Sequence, residues 1–176
     1  GDIVHIYCRR NSGIGGPLRF IGHTDLCQHV MVHDINIINW FMPCKPVCAF
    51  AKKRDLVLKP HGMTDTILAI ITYADGAIVS MEASWIMTKN WPSAVDDILE
   101  VVGTQGVLYT DGCDKGFRMV TRERAVQPDT RYRPLIHGLY GGALGEEILD
   151  FVHCAIKGLP SKSTVEEGVL DLQVVD

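Results

Sequence analysis

The sequence predicts an α+β fold: a mainly antiparallel, open-faced sheet with helices on one side. Three observations carry this. The order of elements is strand, helix, a run of strands, then two helices, and helices grouped beside an antiparallel sheet define that class. Asp75-Gly76 and Gly103-Thr104-Gln105-Gly106 are turn signals between strand-like runs, so those strands join as hairpins. Between Ile67 and Tyr73 both alternating sets, Ile67, Ala69, Ile71, Tyr73 and Leu68, Ile70, Thr72, are mostly apolar. A sheet covered by helices on one face only should show a polar outer face. The other face is therefore expected to be covered by another domain or subunit, and we expect a homo-oligomer, dimer or tetramer, through it.

Each element has its own reason. Ile3 to Arg9 is rich in Val, Ile and Tyr and reads as a strand. Leu26 to Phe41 reads as a helix ended by Pro43, and Val47 to Lys52 as a strand. Thr66 to Ala74 and Ala77 to Ile86 are longer strands on either side of Asp75-Gly76. Ile98 to Val102 and Val107 to Thr110 flank the second turn, and Gly116 to Ala125 is a further strand candidate. Pro128 to Tyr140 reads as irregular. Ile148, Phe151, Val152 and Ala155 form the apolar stripe of a helix stopped by Gly158 and Pro160. Ser163 with Glu166, or Thr164 with Glu167, is a capping box opening a last helix.

Composition narrows the function. A chain of 176 residues with 17 Lys plus Arg and 21 Asp plus Glu carries a formal charge of −4, which excludes a broadly basic nucleic-acid binder. At 47% hydrophobic and 22% charged residues it is a globular composition. No run of apolar residues is long enough to span a membrane, and no signal peptide is visible, so no membrane partner and a cytoplasmic location are expected. The six cysteines form no C-x-x-C pair and read as reduced thiols. The chain opens at Gly1 and stops at Asp176 inside an unfinished helix, which reads as one domain, residues 1–176, cut from a longer protein.

Two glycine-rich segments fail as nucleotide loops. Counting from Gly13, a G-x-G-x-x-G fingerprint requires glycine where Leu18 stands, and Pro17 removes a backbone donor. Gly138 to Gly145 also misses the spacing and reads as a hinge into a helix.

The chemistry is concentrated on the first helix. At about 100° per residue, His29, His33, Asn36 and Trp40 fall in one stripe beside a wide apolar arc that includes Val30, Ile35 and Ile38. A buried helix that keeps a polar stripe either satisfies it in the core or presents it to a cleft. His33 is the candidate for proton handling, with His29 beside it. Metal chelation by His29 and His33, with Cys27 or a distant carboxylate, lacks a fixed third ligand, and no metal is expected. Satisfied core histidines are the plainest reading of the pair. Asp34 lies inside the apolar arc and reads as a structural anchor. Trp85, Lys89 and Trp91 could line a sugar-binding wall, although lone aromatics are more often core. Arg131, Arg133 and His137 read as a solvated loop.

Several stretches taken together resemble the C-terminal domain of the glucose-fructose oxidoreductase, inositol dehydrogenase and rhizopine-catabolism (Gfo/Idh/MocA) family. They are His33-Asp34-Ile35-Asn36 followed by Trp40; Asp75-Gly76-Ala77 with Glu82-Ala83-Ser84-Trp85; Val102-Gly103-Thr104-Gln105-Gly106; and the closing helices with Gly158-Leu159-Pro160. The resemblance implies an NAD(P)-dependent oxidoreductase in which this part binds a sugar or polyol and builds the oligomer. Nicotinamide nucleotide, NAD or NADP, would be held by a separate N-terminal Rossmann domain that also supplies a lysine from an E-K-P motif. No E-K-P occurs here, only Lys45-Pro46 and Lys59-Pro60, and no cofactor-binding residue is expected in this chain, which alone should be inactive. The resemblance makes His33 the catalytic residue; His29, Asn36, Trp85 and Lys89 are the substrate-binding candidates. Two positions depart from the family pattern: His29 and Asn36 stand where many members have Asp. The alternative is a non-catalytic binding or assembly module with the same fold.

Overall fold

The computed structural model describes residues 1–91, 93–114, 116 and 118–176. The chain divides into two compact units, residues 1–113 with 167–176, and residues 114–166.

The first unit is built on a six-stranded sheet in the order β2-β3-β4-β1-β5-β6. Its strands are β1 (Ile3–Gly13), β2 (Pro46–Arg54), β3 (Thr66–Tyr73), β4 (Ile78–Met87), β5 (Val95–Gly103) and β6 (Gly106–Asp111). The expected class holds, with one refinement: β1 lies between β4 and β5, and pairs parallel with β4 and antiparallel with β5. The sheet is therefore mixed. The two sequence-marked hairpins are present. At Asp75-Gly76, Gly76 takes φ +89°, and the Ala77 N–H donates to Asp75 Oδ1 at 3.0 Å. The Gly103–Gly106 turn is tied to the chain start, because the Thr104 N–H donates to the Asp2 carbonyl at 2.9 Å.

One face of the sheet is buried. Ile6, Cys8, Ile67, Ile71, Tyr73, Val79, Met81, Ala83 and Val101 form the core with Val30, Met31, Ile35 and Ile38 of the first helix. That helix is not uniform: Cys27–Met31 is a π-helical turn, in which the Val32 N–H reaches back to the Cys27 carbonyl, and α1 (Val32–Phe41) follows. Helix α3 (Val165–Val175) contributes Val174 and Val175 to the edge of the core. Residues on the opposite face, including Phe50, Leu68, Ile70, Ile78, Val107 and Tyr109, are exposed.

The loop between β2 and β3 is held by Asp65, which accepts the backbone N–H groups of Leu56, Val57 and Leu58 at 2.8, 2.7 and 2.6 Å. Burial alone would raise its pKa. The three donors and the nearby Arg54 outweigh burial and hold the carboxyl below the usual aspartate range.

The second unit contains two short ladders, β7 (Met119–Val120) with β8 (Ala125–Val126) and β9 (Leu135–Ile136) with β10 (Leu139–Tyr140), and helix α2 (Gly142–Lys157). The strand candidate Gly116 to Ala125 thus resolves into a strand, a turn and the start of another. Its Phe117 lies outside the described residues. The stretch read as irregular contains a tight hairpin, with His137 and Gly138 both at positive φ. The apolar stripe of α2 is present, with Ile148, Phe151 and Val152 exposed.

Candidate functional site

The site is built on the π-turn and α1, and both are fixed to the sheet by buried polar contacts. Arg10 on β1 donates to both oxygens of Asp34, from Nη2 at 2.7 Å and from Nε at 3.0 Å. Asp34 is thus an anchor joining α1 to β1, as its place in the apolar arc suggested. Burial, followed by the charge of Asp34, pushes the Cys8 thiol upward, so Cys8 is a neutral core side chain. All six cysteines are free thiols.

A second anchor lies toward α3. Asn36 Nδ2 donates to Asp171 Oδ2 at 2.6 Å, and Asn39 Nδ2 to Asp171 Oδ1 at 2.8 Å. The Tyr73 hydroxyl donates to Asn39 Oδ1 at 2.7 Å. Burial, then the thiol of Cys44 and the carboxylate of Asp171, raise the Tyr73 pKa, so the phenol remains a donor. One carboxylate, 2% exposed, thereby links α3, α1 and β3. Sequence reasoning missed Asp171, Asn39 and Tyr73. The available signal was an acid between Leu170 and Leu172, with two carboxamides three residues apart on another helix.

The sequence-derived candidates take distinct places. His33 is exposed on α1. His29 sits in the π-turn, half-buried, with its ring 4.5 Å from that of Phe20 and 5.8 Å, edge-on, from that of Trp85. Trp85 is 2% exposed, so it backs His29 from the core and presents no wall of its own. The amide nitrogen of Asn36 is engaged by Asp171. Lys89 is exposed in the turn after β4, where the Trp91 N–H donates to the Thr88 carbonyl at 3.0 Å. The structure therefore brings His29 and Trp85 together at the end of the sheet where the parallel strands β1 and β4 both finish. The polar stripe expected from a uniform α-helix is divided by the π-turn: His33 and Trp40 face outward, whereas His29 is packed against aromatic rings.

The start of α2 does not form a nucleotide cradle. The first N–H groups of α2 are spent within the second unit, Ala143 donating to the Arg131 carbonyl at 2.9 Å and Leu144 to that of Tyr132 at 3.2 Å. Gly142, at φ +77°, is required there because a Cβ would strike the Arg131 carbonyl. Helix starts bind phosphate through unspent N–H groups, so this one does not fit a pyrophosphate. Among the described residues no group of three or more His, Cys, Asp or Glu side chains could hold a metal.

Two hollows of 270 and 490 Å³ lie elsewhere, one beside Gly1 and the β5–β6 turn and one along α2, and neither is lined by His29, His33 or Trp85. Small-molecule sites are concave and enclose most of their ligand.

This architecture, an α+β sheet with one helix-covered face, recurs in proteins of known structure. Residues 24–109 match the GFO/IDH/MocA C-terminal domain family, so the recognition read from the helix and hairpin motifs holds over that segment. Solved structures extend the likeness in fold to almost the whole chain. Myo-inositol 2-dehydrogenase from Lactobacillus plantarum superposes with a TM-score of 0.76 at 21% identity, over 99% of this chain and 53% of that one. Scyllo-inositol dehydrogenase from Lactobacillus casei, solved with NAD(H) and scyllo-inositol, gives 0.74 at 17% identity over 99% and 53%. Myo-inositol dehydrogenase from Corynebacterium glutamicum gives 0.72 at 17% identity over 99% and 52%. The chain spans about half the length of these enzymes. Among curated proteins none matches it. No helix among the described residues is long and apolar enough to cross a membrane.

Proposed function

We propose that residues 1–176 act as one substrate-binding and assembly domain of an NAD(P)-dependent oxidoreductase that moves hydride between a sugar or polyol and nicotinamide. The observation that supports this most is the exposed His33 on a helix locked from behind by Arg10–Asp34 and by Asn36 and Asn39 on Asp171. Such bracing holds an imidazole in position without covering it, which is what a proton-transfer group at a cleft requires.

In this reading His33 exchanges the proton of the reacting hydroxyl. His29 and Lys89 contact neighbouring hydroxyls, and Asn36 and Trp85 hold the histidine helix from behind. The nucleotide is held by a separate N-terminal domain, which also supplies the second wall of the cleft. The protein is a cytoplasmic homo-oligomer, joined through the open face of the sheet.

The test uses the full-length protein and polyol-dependent reduction of NAD(P). His33→Ala should lower kcat by about 10²–10⁴. A rate unchanged by the substitution would overturn the reading in favour of a non-catalytic assembly module of the same fold. Titration calorimetry on residues 1–176 alone should show no tight NAD(H) binding; a micromolar complex would sink the assignment of the nucleotide to another domain.

A further inference from the structure

The rim around His29 is built mainly of hydrogen-bond donors, and that selects the charge of what it binds. Ile21, at φ −52° and ψ 123°, and Gly22, at φ +74°, form a type II turn in which the His23 N–H donates to the Phe20 carbonyl at 2.9 Å. Such a turn holds its first and last Cα atoms within about 7 Å, so His23 stands beside Phe20, whose ring lies 4.5 Å from that of His29. Lys89 arrives from β4: it follows Met87, which pairs with Gly13 where β1 ends and this loop begins. His23 and Lys89 are exposed, as is Arg19 next to Phe20. The half-buried His29 ring touches Phe20 and Trp85, and among the described residues no hydrogen bond engages its nitrogens.

The carboxylates of the same helix and its supports are committed to the fold. Asp25 Oδ1 accepts the Gln28 N–H at 2.8 Å at the helix start. Asp34 is held by Arg10, and Asp171 by Asn36 and Asn39. The imbalance matters because a hydroxyl and an oxyanion ask for different partners. A hydroxyl needs an acceptor for its own proton, whereas an ionised carboxylate or phosphate accepts only. Lysine and arginine supply donors alone, and an imidazole keeps at least one N–H in either charge state. A neutral polyol at this rim finds acceptors for its protons on neutral imidazoles and little else. An anion leaves none of its own groups unpaired, and its bonds to cationic donors are the stronger kind.

We propose that the substrate carries an anionic group, a carboxylate or a phosphate, and that His29 receives it with His23 and Lys89 on the rim. This rests on the proposed oxidoreductase reading and adds to it: beside its hydroxyls the substrate presents an anion. His29 is then a specificity-determining residue, and Phe20 and Trp85 fix the plane of its ring.

The test uses the full-length protein, reduction of NAD(P), and sugars matched in configuration. Glucose, galactose and mannose are each supplied as the neutral sugar, as the uronate and as the 6-phosphate. In the series that turns over, kcat/KM should be about tenfold or more higher for an anionic form than for the neutral one. The better of the two anionic forms identifies the group as carboxylate or phosphate. KM for that form should rise severalfold between low salt and about 0.3 M NaCl, because salt screens exposed charges. Lys89→Ala should raise the same KM. His29→Asp sets an anion where the substrate's anion docks and should reverse the ranking in favour of the neutral sugar. His29→Gln keeps an N–H donor and should not reverse it.

A neutral sugar used as well as both of its anionic forms, or a KM for the preferred form that salt does not move, would overturn the anion site and leave the oxidoreductase reading standing. An anion preference that survives His29→Asp would overturn the assignment to His29. The salt dependence of the parent protein decides the first point even if a variant fails to fold. If no sugar in any form supports reduction that depends on His33, the oxidoreductase reading falls and this one falls with it.

Discussion

Ile70 and Ile71 are neighbours on β3, yet Ile71 is 2% exposed and Ile70 is 50% exposed. The same contrast runs across the sheet: Val79 against Ile78, Ala69 against Leu68. One face is covered by the helix that carries His33. The other has as much aliphatic character in its middle strands and no cover among the described residues of this unit. The difference teaches that hydrophobic pattern reports aliphatic character on both faces of a strand, but not what covers either. The covered face also holds its polar groups in pairs, Arg10 with Asp34, and Tyr73 and Asn39 with Asp171.

Substitutions can sharpen this contrast. The largest effect is expected at Trp85, where replacement by Ala leaves a cavity beneath His29 and should cost about 4 kcal/mol in denaturant unfolding. A cost below about 1 kcal/mol would mean that the ring is not packed as described. Asp34→Ala strands the Arg10 guanidinium in a part-buried site and should cost about 3 kcal/mol; Asp34→Ala with Arg10→Met should recover part of it.

The Asp65 loop gives a dependence on pH. Its folded pKa lies below the unfolded value, so the stabilisation is fully present above about pH 4 and is lost as pH falls through the folded pKa. Asp65→Asn should therefore be less stable than the parent at pH 7, and the gap should close on acidification. A gap that does not change with pH would contradict the role of the carboxylate. The smallest effect is expected on the open face: Ile70→Ser should change the stability of the single chain by under about 0.5 kcal/mol, while weakening self-association.

Much of this was legible locally. Asp75-Gly76 and Gly103–Gly106 form turns because the geometry of a two- to four-residue connection is encoded in those residues alone. The boundaries that moved did so for non-local reasons. β5 begins at Val95, ahead of the expected Ile98, because Asp96 is buried by Arg9, whose Nη2 lies 2.9 Å from Asp96 Oδ1. From sequence, two adjacent acids look like loop. The parallel pairing of β1 with β4 joins segments about seventy residues apart, and no local pattern announces it. The π-turn is equally hidden, because apolar spacing cannot distinguish a single wide turn from a regular one. His33 was singled out by residue type and resemblance; what braces it, Asp171, lies 135 residues from Asn36.

The position of β1 has a consequence for how the chain acquires its shape. Of the six strands of this sheet, the first to be synthesised is the one that joins β3–β4 to β5–β6, so it has no partner in the sheet until Ile78 and later Val95 have been made. Assembly must wait for that distant pairing, and contacts of long sequence separation slow folding. During the wait, the β3–β4 hairpin is half a sheet with an unsatisfied edge. Chaperone engagement and aggregation in the cell should concentrate on that interval of synthesis.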